Sequence, residues 1–358
     1  MKKLLSFLLG IISLIILLLG MLIVTTPKES HNQKTLTIYN WGDYIDPELI
    51  TDFEKKYGYQ VNYETFDSNE AMYTKIKQGG THYDIAIPSD YMIQKMRRHH
   101  LLVPLDKKKI KGFHYLEKTL INQPFDPHNR YSIPYFYGTL GIVYNQKELP
   151  KGVEIKEWKD LWNKKLKNQI MLIDGAREVM GLSLNAMNQS LNTKNPQVLK
   201  EAYEHLLQLV PNVKAIVADE MKIYMKQEEA SIAVTFSGEA REMMDCNPNL
   251  CYVVPSEGSN LWFDNMVIPK TVQNKQGAYD FINFMLEPKN AAKNAEYIGY
   301  ATPNKEAKRY LPKAMTNNKA FYPTKEMFKH LEVYEDLGQK YLSLYNDYFL
   351  EFKIHTPK

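Results

Sequence analysis

The alternation of short β-type runs with helical runs constrains the fold of this chain more than any other feature of its sequence. Between residues 35 and 98 the pattern repeats three times, with strands predicted at 35–39, 60–65 and 83–87. Each strand is followed by an amphipathic or capped run, which predicts helices at 46–57, 67–79 and 90–98. Strands that alternate with helices form parallel sheets through right-handed crossovers. The chain is therefore predicted to be an α/β protein.

A second series of elements follows the first, and 358 residues are enough for two domains of ordinary size. Further β-type runs occupy 133–145, 170–173, 230–236, 251–254 and 265–269. We expect two α/β lobes joined by extended stretches near 136–145 and 259–268. Lobe 1 is expected at 35–138 with 265–305 returning to it, and lobe 2 at 139–264 with 306–358 packing on it.

The N-terminal segment has the features of a targeting sequence. Lys2 and Lys3 precede an uncharged, mostly apolar run from Leu4 to Val24, which as a helix would span about 30 Å of hydrocarbon. We interpret 1–27 as a membrane anchor or signal segment and 28–34 as a tether. No convincing small-x-small cleavage site follows the run, which favours an uncleaved anchor over a cleaved signal. The remaining chain is expected to be exported, to the outer face of the cytoplasmic membrane or to the periplasmic space.

Composition and missing motifs exclude several functions. A net charge of +4 with no basic stripe argues against a nucleic-acid partner. No glycine-rich phosphate loop is present, and two cysteines are too few for a four-thiolate zinc site, so no cofactor or metal is expected. Cys246 and Cys251 either pair across the turn between them or remain free thiols.

The loops that follow the predicted strands repeatedly hold aromatic and acidic residues. Ligands of open α/β sheets bind beyond the carboxyl ends of the strands, so these loops are expected to converge. The candidate residues in them are Trp41, Asp43, Tyr44, Ser89, Tyr91, Asp174, Glu178, Phe236, Glu239, Trp262 and Asp264. Aromatic walls and acidic ends suit a thin aliphatic polycation. Taken singly, a strand-end Trp is an ordinary core residue, and Asp43, Asp90 and Asp174 are ordinary caps or turn residues.

Seven short segments together resemble a known family. They are Tyr39–Tyr44, Asp67–Tyr73, Tyr83–Ser89, Ser132–Tyr135, Ala176–Val179, Trp262–Asp264 and Ile298–Asn304. In combination they resemble the spermidine/putrescine-binding proteins of polyamine ABC transporters. The resemblance implies a two-lobed, type II periplasmic-binding-protein fold in which each lobe is a mostly parallel sheet flanked by helices. It also implies a receptor rather than an enzyme, which closes on a polyamine and delivers it to a permease.

By the same resemblance, Asp264 would hold the internal amine, helped by Trp262, and Glu178 would hold one terminal ammonium. The family pattern assigns the other end to Tyr44, Ser89 and Tyr91. Trp41, Asp43 and Tyr300 also carry over. Three departures leave the choice between spermidine and putrescine open: Gly175 follows Asp174 where some members have an acid, Phe236 replaces a family Trp, and Tyr334 replaces a Gln.

Two alternatives remain at this stage. A receptor of the same architecture could bind another ligand such as ferric iron, because paired tyrosines can ligate it. An exported hydrolase could use Glu178 and Asp264 as acid and base, although no GxSxG or HExxH motif is present.

Overall fold

The computed structural model describes residues 34–218 and 220–357. The predicted anchor or signal segment at 1–27 and the tether up to residue 33 lie outside the described residues. Within the described part, no helix combines the length and the apolar character that a membrane crossing needs.

The first three strand–helix pairs have the predicted order. The strands are β1 (Lys34–Trp41), β2 (Tyr59–Phe66) and β3 (Ile85–Ala86), and the helices are α1 (Pro47–Tyr57), α2 (Asn69–Gln78) and α3 (Asp90–Arg98). Strand β1 pairs in parallel with both β2 and β3. Asp46 caps α1, and Gly58 ends it in the left-handed conformation, as predicted. The predicted cap of α2 is wrong by one residue, because the Ser68 hydroxyl rather than Asp67 accepts the free N–H of Ala71.

The rest of the chain supplies seven strands and eight α-helices to the described structure. The strands are β4 (Ser132–Asn145), β5 (Ile170–Ile173), β6 (Val213–Val217), β7 (Ile232–Phe236), β8 (Leu250–Val253), β9 (Ser259–Val267) and β10 (Leu331–Glu332). The helices are α4 (Ala176–Ala186), α5 (Pro196–Leu207), α6 (Glu220–Lys226), α7 (Ser237–Cys246), α8 (Lys275–Leu286), α9 (Pro288–Ile298), α10 (Lys313–Thr316) and α11 (Gln339–His355). Cys246 and Cys251 are free thiols.

Two long antiparallel strands, β4 and β9, connect the two halves of the sheet. The strand order is β2-β1-β3-β9-β4-β7-β5-β6, with β10 beside β9 and β8 beside β4. Strand β4 pairs with β9 over residues 132–139 and then with β7 and β8 over residues 140–145. Each half thus keeps a parallel core, β2-β1-β3 or β6-β5-β7, and the chain passes between the halves along β4 and β9.

The hydrophobic core is divided in the same way, with one large cluster in each half and a smaller third cluster, which includes Met171 and Met243, in the second half. The first cluster contains buried side chains from 36 to 137 and from 261 to 322, and the second contains side chains from 140 to 234 and from 337 to 352. The segment from Ala307 to Tyr322 therefore packs in the first half, although the sequence analysis assigned all of 306–358 to lobe 2.

A third passage between the halves explains that difference. Residues 331–336 leave the first cluster, pair with β9 through β10, and lead into α11, which packs in the second cluster. We therefore propose that lobe 1 includes residues 306–330 and that lobe 2 takes up the chain only after this third crossing. The sequence did not indicate the crossing because it is a two-residue strand without a repeating pattern.

Candidate functional site

The centre of the candidate site is the carboxylate of Asp264, on the connecting strand β9. Its two oxygens accept hydrogen bonds from the Tyr44 hydroxyl and the Ser89 hydroxyl, each at 2.6 Å. Tyr44 follows β1 and Ser89 follows β3, so two strand-end loops of lobe 1 meet the connecting strand here. Asp264 is 7% exposed. The three residues are thus held together by contacts between segments more than 170 residues apart in sequence.

Ser89 reaches Asp264 at the expense of an ordinary helix cap. It occupies the N-cap position of α3, where a serine hydroxyl usually accepts a backbone N–H, yet it makes no such bond. Buried Asn69 fixes it instead, since the Asn69 amide donates to the Ser89 hydroxyl at 3.0 Å and accepts the Ser89 N–H at 3.0 Å. The same amide also donates to the Tyr91 hydroxyl at 3.2 Å. One side chain therefore positions two of the predicted site residues.

Asp264 lacks a cationic partner within residues 34–218 and 220–357. Its only side-chain partners there are the two neutral hydroxyls, and no lysine or arginine forms a salt bridge with it. Burial raises the pKa of Asp264 to about 6, although the hydrogen bonds from Ser89 and Tyr44 favour the ionised form. A buried carboxylate of this kind is costly unless a positive charge reaches it.

Aromatic rings surround this carboxylate. The Tyr44 ring lies edge-on to Tyr300 at 5.8 Å between centroids, and Tyr300 lies edge-on to Trp262 at 4.9 Å. Trp262 in turn contacts Phe236 at 6.2 Å. The Tyr300 hydroxyl donates to Glu239 at 2.8 Å. Four of the predicted aromatic residues thus form one continuous wall, with Glu239 hydrogen-bonded to Tyr300 in the middle of it.

Two glycines allow the wall to form. A Cβ at Gly238, in the first turn of α7, would lie 1.9 Å from the Tyr300 ring, and a Cβ at Gly138 of β4 would lie 2.5 Å from the Trp262 ring. Any larger residue would push these rings out of place. These glycines position the aromatic side chains by leaving space rather than by making a contact.

Glu178 forms a second acidic position, at the start of α4 in lobe 2. Its carboxylate folds back over Gly175, where a Cβ would lie 2.2 Å from the carboxylate oxygen. Burial raises the pKa of Glu178, whereas its own backbone N–H, the Arg177 charge and the Tyr334 hydroxyl lower it. The Arg177 guanidinium lies over the Tyr334 ring at 4.2 Å. Tyr334 belongs to the third crossing and lies within electrostatic range of Glu178, although its buried hydroxyl forms no hydrogen bond within the described residues.

Three predicted residues lie outside this group of contacts. Asp174 is exposed and forms a salt bridge with Lys353 of α11, with both oxygens at 2.8 Å. Asp43 is exposed in a turn with a positive φ of 46°. Trp41 packs on Phe66 at 4.6 Å between ring centroids.

Sequence reasoning did not identify Asn69, Arg177, Gly138 or Gly238 as residues of the candidate site. Asn69 and Arg177 lie inside segments that carried the family resemblance, but no local pattern showed what they contact. The Arg177 guanidinium donates to the Leu191 carbonyl and to the Asn192 side chain, at 3.1 and 2.8 Å. Only the folded chain brings these groups together.

Two α/β lobes with connecting strands between them, and a buried acid among aromatic rings at the strand ends, define a solute-binding protein. The chain belongs to the bacterial extracellular solute-binding proteins, whose family model matches residues 48–324. This membership agrees with the predicted export of the chain.

The comparisons also confirm the family recognised in the sequence. The chain is 37% identical over 328 residues to the spermidine/putrescine-binding periplasmic protein of Salmonella typhimurium, covering 91% of this chain and 93% of that one. It is 29% identical over 323 residues to a putrescine-binding periplasmic protein of Escherichia coli, covering 85% and 87%. The structure matches the substrate-binding protein of a spermidine/putrescine ABC transporter from Streptococcus pneumoniae with a TM-score of 0.85. In that match 61% of residues are identical, and 90% and 99% of the two chains are covered.

Proposed function

We propose that this protein is the receptor of an ABC importer for a polyamine, spermidine or putrescine, which it binds between its lobes and delivers to the membrane permease. The relatives that match nearly its whole length are substrate-binding transport proteins for these ligands. The same similarity favours a polyamine over the ferric-iron and hydrolase alternatives, so we propose a receptor with no catalytic role. Attachment to the membrane through residues 1–27 remains part of the proposal.

The observation that carries the proposal is the buried Asp264 carboxylate, held by two neutral hydroxyls among aromatic rings. An alkylammonium group would supply the missing positive charge and donate charge-assisted hydrogen bonds. The rings of Tyr300 and Trp262 would contact its methylene groups and attract its charge, at about 0.5–2 kcal/mol for each cation–π contact. A neutral or anionic solute would leave the carboxylate unpaired.

The second acid makes the site suitable for a ligand with more than one charge. Asp264 lies on the connecting strand and is held by lobe 1, whereas Glu178 lies on a helix of lobe 2. A diamine or triamine that reaches both acids would therefore contact both lobes and favour their closed arrangement. The residues that we propose to contact it are Tyr44, Ser89, Tyr91, Glu178, Phe236, Glu239, Trp262, Asp264, Tyr300 and Tyr334.

Calorimetric titration of the full-length chain with spermidine, putrescine and spermine tests the proposal. We expect affinity in the micromolar range or tighter, about −8 kcal/mol or better, for at least one of them. Monoamines of similar length, such as butylamine, should bind at least tenfold more weakly because they can pair with only one acid. A protein that binds none of the three polyamines would contradict the proposed function.

A further inference from the structure

We propose that Asp90 is a positioning residue of the proposed site: it holds the connecting strand β9 in register, and its buried carboxyl group loses one proton when a cation binds. This inference rests on the proposed function, because it concerns how the same cleft accepts a positive charge. Asp90 is the first residue of α3, next to Ser89, and it is 1% exposed.

The geometry around Asp90 is a three-residue junction between the start of α3 and strand β9. The Asn265 N–H donates to the Pro88 carbonyl at 3.0 Å, and the Ser89 hydroxyl donates to Asp264 at 2.6 Å. The Phe263 N–H, two residues before that of Asn265, donates to the Asp90 carboxylate at 3.0 Å.

In an antiparallel pairing a backbone carbonyl would accept that N–H. Helix α3 begins at residue 90, so the side chain of Asp90 acts as the acceptor instead. The neighbours of Asp264 on both sides are thereby held, which aims the Asp264 side chain at Tyr44 and Ser89. Loss of this acceptor should loosen the strand at the residue that meets the ligand.

Several charged and titratable groups face Asp90. Asp264 of β9 disfavours its charge and Arg177 of α4 favours it. Tyr91 of its own helix and Tyr334 of the third crossing also lie within electrostatic range. The Asp90 carboxylate forms no salt bridge within the described residues. It is therefore a buried acid with two backbone donors, a second acid beside it and one arginine on the opposite lobe.

The protonation of Asp90 follows from this environment. Burial raises its pKa to about 8, although the N–H groups of Phe263 and Tyr91 favour the charged form. In the empty cleft at neutral pH the carboxyl group is therefore mostly protonated. When an ammonium group enters, the positive charge favours the carboxylate, the O–H bond breaks, and the proton passes to solvent while the ligand keeps its charge.

Proton release can be counted by titrating the full-length chain with spermidine or putrescine at pH 7 in two buffers of different ionisation enthalpy. We expect the wild type to release about one proton per ligand more than Asp90→Asn. The difference between the two proteins cancels any proton that the ligand itself gains or loses. The single carbonyl oxygen of asparagine can still accept the Phe263 N–H, so this variant removes the charge and keeps that hydrogen bond while losing the one from the Tyr91 N–H.

The affinity of the wild type should also rise with pH by up to about tenfold per unit below pH 8 and level off above it. Asp90→Asn should bind as well as the wild type near pH 6 and more weakly near pH 8.5. Asp174→Asn, an exposed acid outside the cleft, is the matched control and should release as many protons as the wild type. Equal proton release from the wild type and Asp90→Asn, or a wild-type affinity that does not change with pH, would overturn the inference.

A measurement without ligand separates this inference from the proposed function. An acid whose pKa rises on folding, from about 3.9 to about 8, loses stability as pH rises through that interval. The melting temperature of Asp90→Asn should therefore improve relative to the wild type between pH 5 and pH 8.5. A difference that stays constant with pH would show that Asp90 does not titrate, even if a polyamine binds. If no polyamine binds, the proposed function fails, and the melting curves still decide the protonation of Asp90.

Discussion

Asp264 and Glu178 are the two acids that we propose to pair with the ligand, but different kinds of neighbours surround them. The Asp264 carboxylate accepts hydrogen bonds from hydroxyls of two lobe 1 loops. Asn69 positions one of these hydroxyls, and Asp90 accepts the N–H of the residue before Asp264. Glu178 lies over the start of its own helix, beside Arg177 and Tyr334. One acid is thus fixed by hydrogen bonds from two loops, whereas the other lies beside the third crossing between the lobes. In the proposed site, an acid fixed in this way would lower the cost of binding an ammonium group.

This difference indicates that the two ends of the proposed site contribute differently to ligand binding. The Asp264 end should contribute most of the affinity for any alkylammonium ion, because little has to move. The Glu178 end should respond to the length and charge of the ligand, because its position depends on how the lobes meet. The following predictions test this comparison.

The largest effect is expected from Asp264→Asn. Removing the buried charge should weaken polyamine binding by about 10- to 100-fold, or about 1.5–3 kcal/mol, for spermidine and putrescine alike. Calorimetry measures the change, and Asp174→Asn serves as the control because Asp174 is an exposed acid paired with Lys353. If Asp264→Asn binds as tightly as the wild type, the preorganised acid is not the anchor of the ligand.

Glu178→Gln should have a smaller effect that depends on the ligand. We expect a loss of about tenfold for a ligand long enough to span both acids, near 1.4 kcal/mol. A short diamine that reaches only Asp264 should lose little. Calorimetric titration of Asp264→Asn and Glu178→Gln with a series of diamines of increasing length measures this dependence. Equal losses at every length would remove the distinction between the two ends.

Gly238→Ala tests the aromatic wall that joins the two ends. The added methyl group would lie 1.9 Å from the Tyr300 ring, so the ring must move away from Trp262 and from the cleft. We expect binding to weaken about three- to tenfold, in line with the loss of about one cation–π contact. Gly42→Ala is the control, since a Cβ there has no neighbour within 4 Å. Equal affinities of the two variants would place Tyr300 outside the wall.

The smallest effect is expected from Arg177→Lys. Lysine keeps the charge near Glu178 but loses the flat stack on Tyr334 and the paired donors toward Leu191 and Asn192. Binding of long polyamines should weaken about twofold, near 0.4 kcal/mol, with no change for short diamines. A fluorescence titration of both ligand classes provides the check. An equal loss of affinity for long polyamines and short diamines would mean that Arg177 supports the fold in general rather than the position of Glu178.

Much of the local structure could be predicted from the sequence, and several of the predicted site residues contact one another in the structure. The limits of α3 and β5 agree with the predicted ones to the residue, because Pro88 precedes the apolar pattern of α3 and Asp174 and Gly175 follow the apolar run of β5. Tyr44 follows β1 and Phe236 ends β7, and these two positions followed from the alternation. Trp262 lies within the connecting strand β9, and Tyr300 follows helix α9 and was expected only from the family resemblance. Asp43 and Asp174 show the limit of this reasoning, because an acid in a strand-end loop can equally face the solvent.

The sequence by itself determined the class of fold and the order of the elements, and it supplied the residues of the proposed site, since each of these depends on short-range patterns. Tertiary structure alone decided that Asp264 accepts hydrogen bonds from Tyr44 and Ser89 and that Asp174 forms a salt bridge with Lys353. It also decided that residues 331–336 form a third crossing. The physical reason is distance along the chain. These contacts join residues from about 70 to more than 200 positions apart, and packing of the whole sheet, rather than any local preference, brings them together.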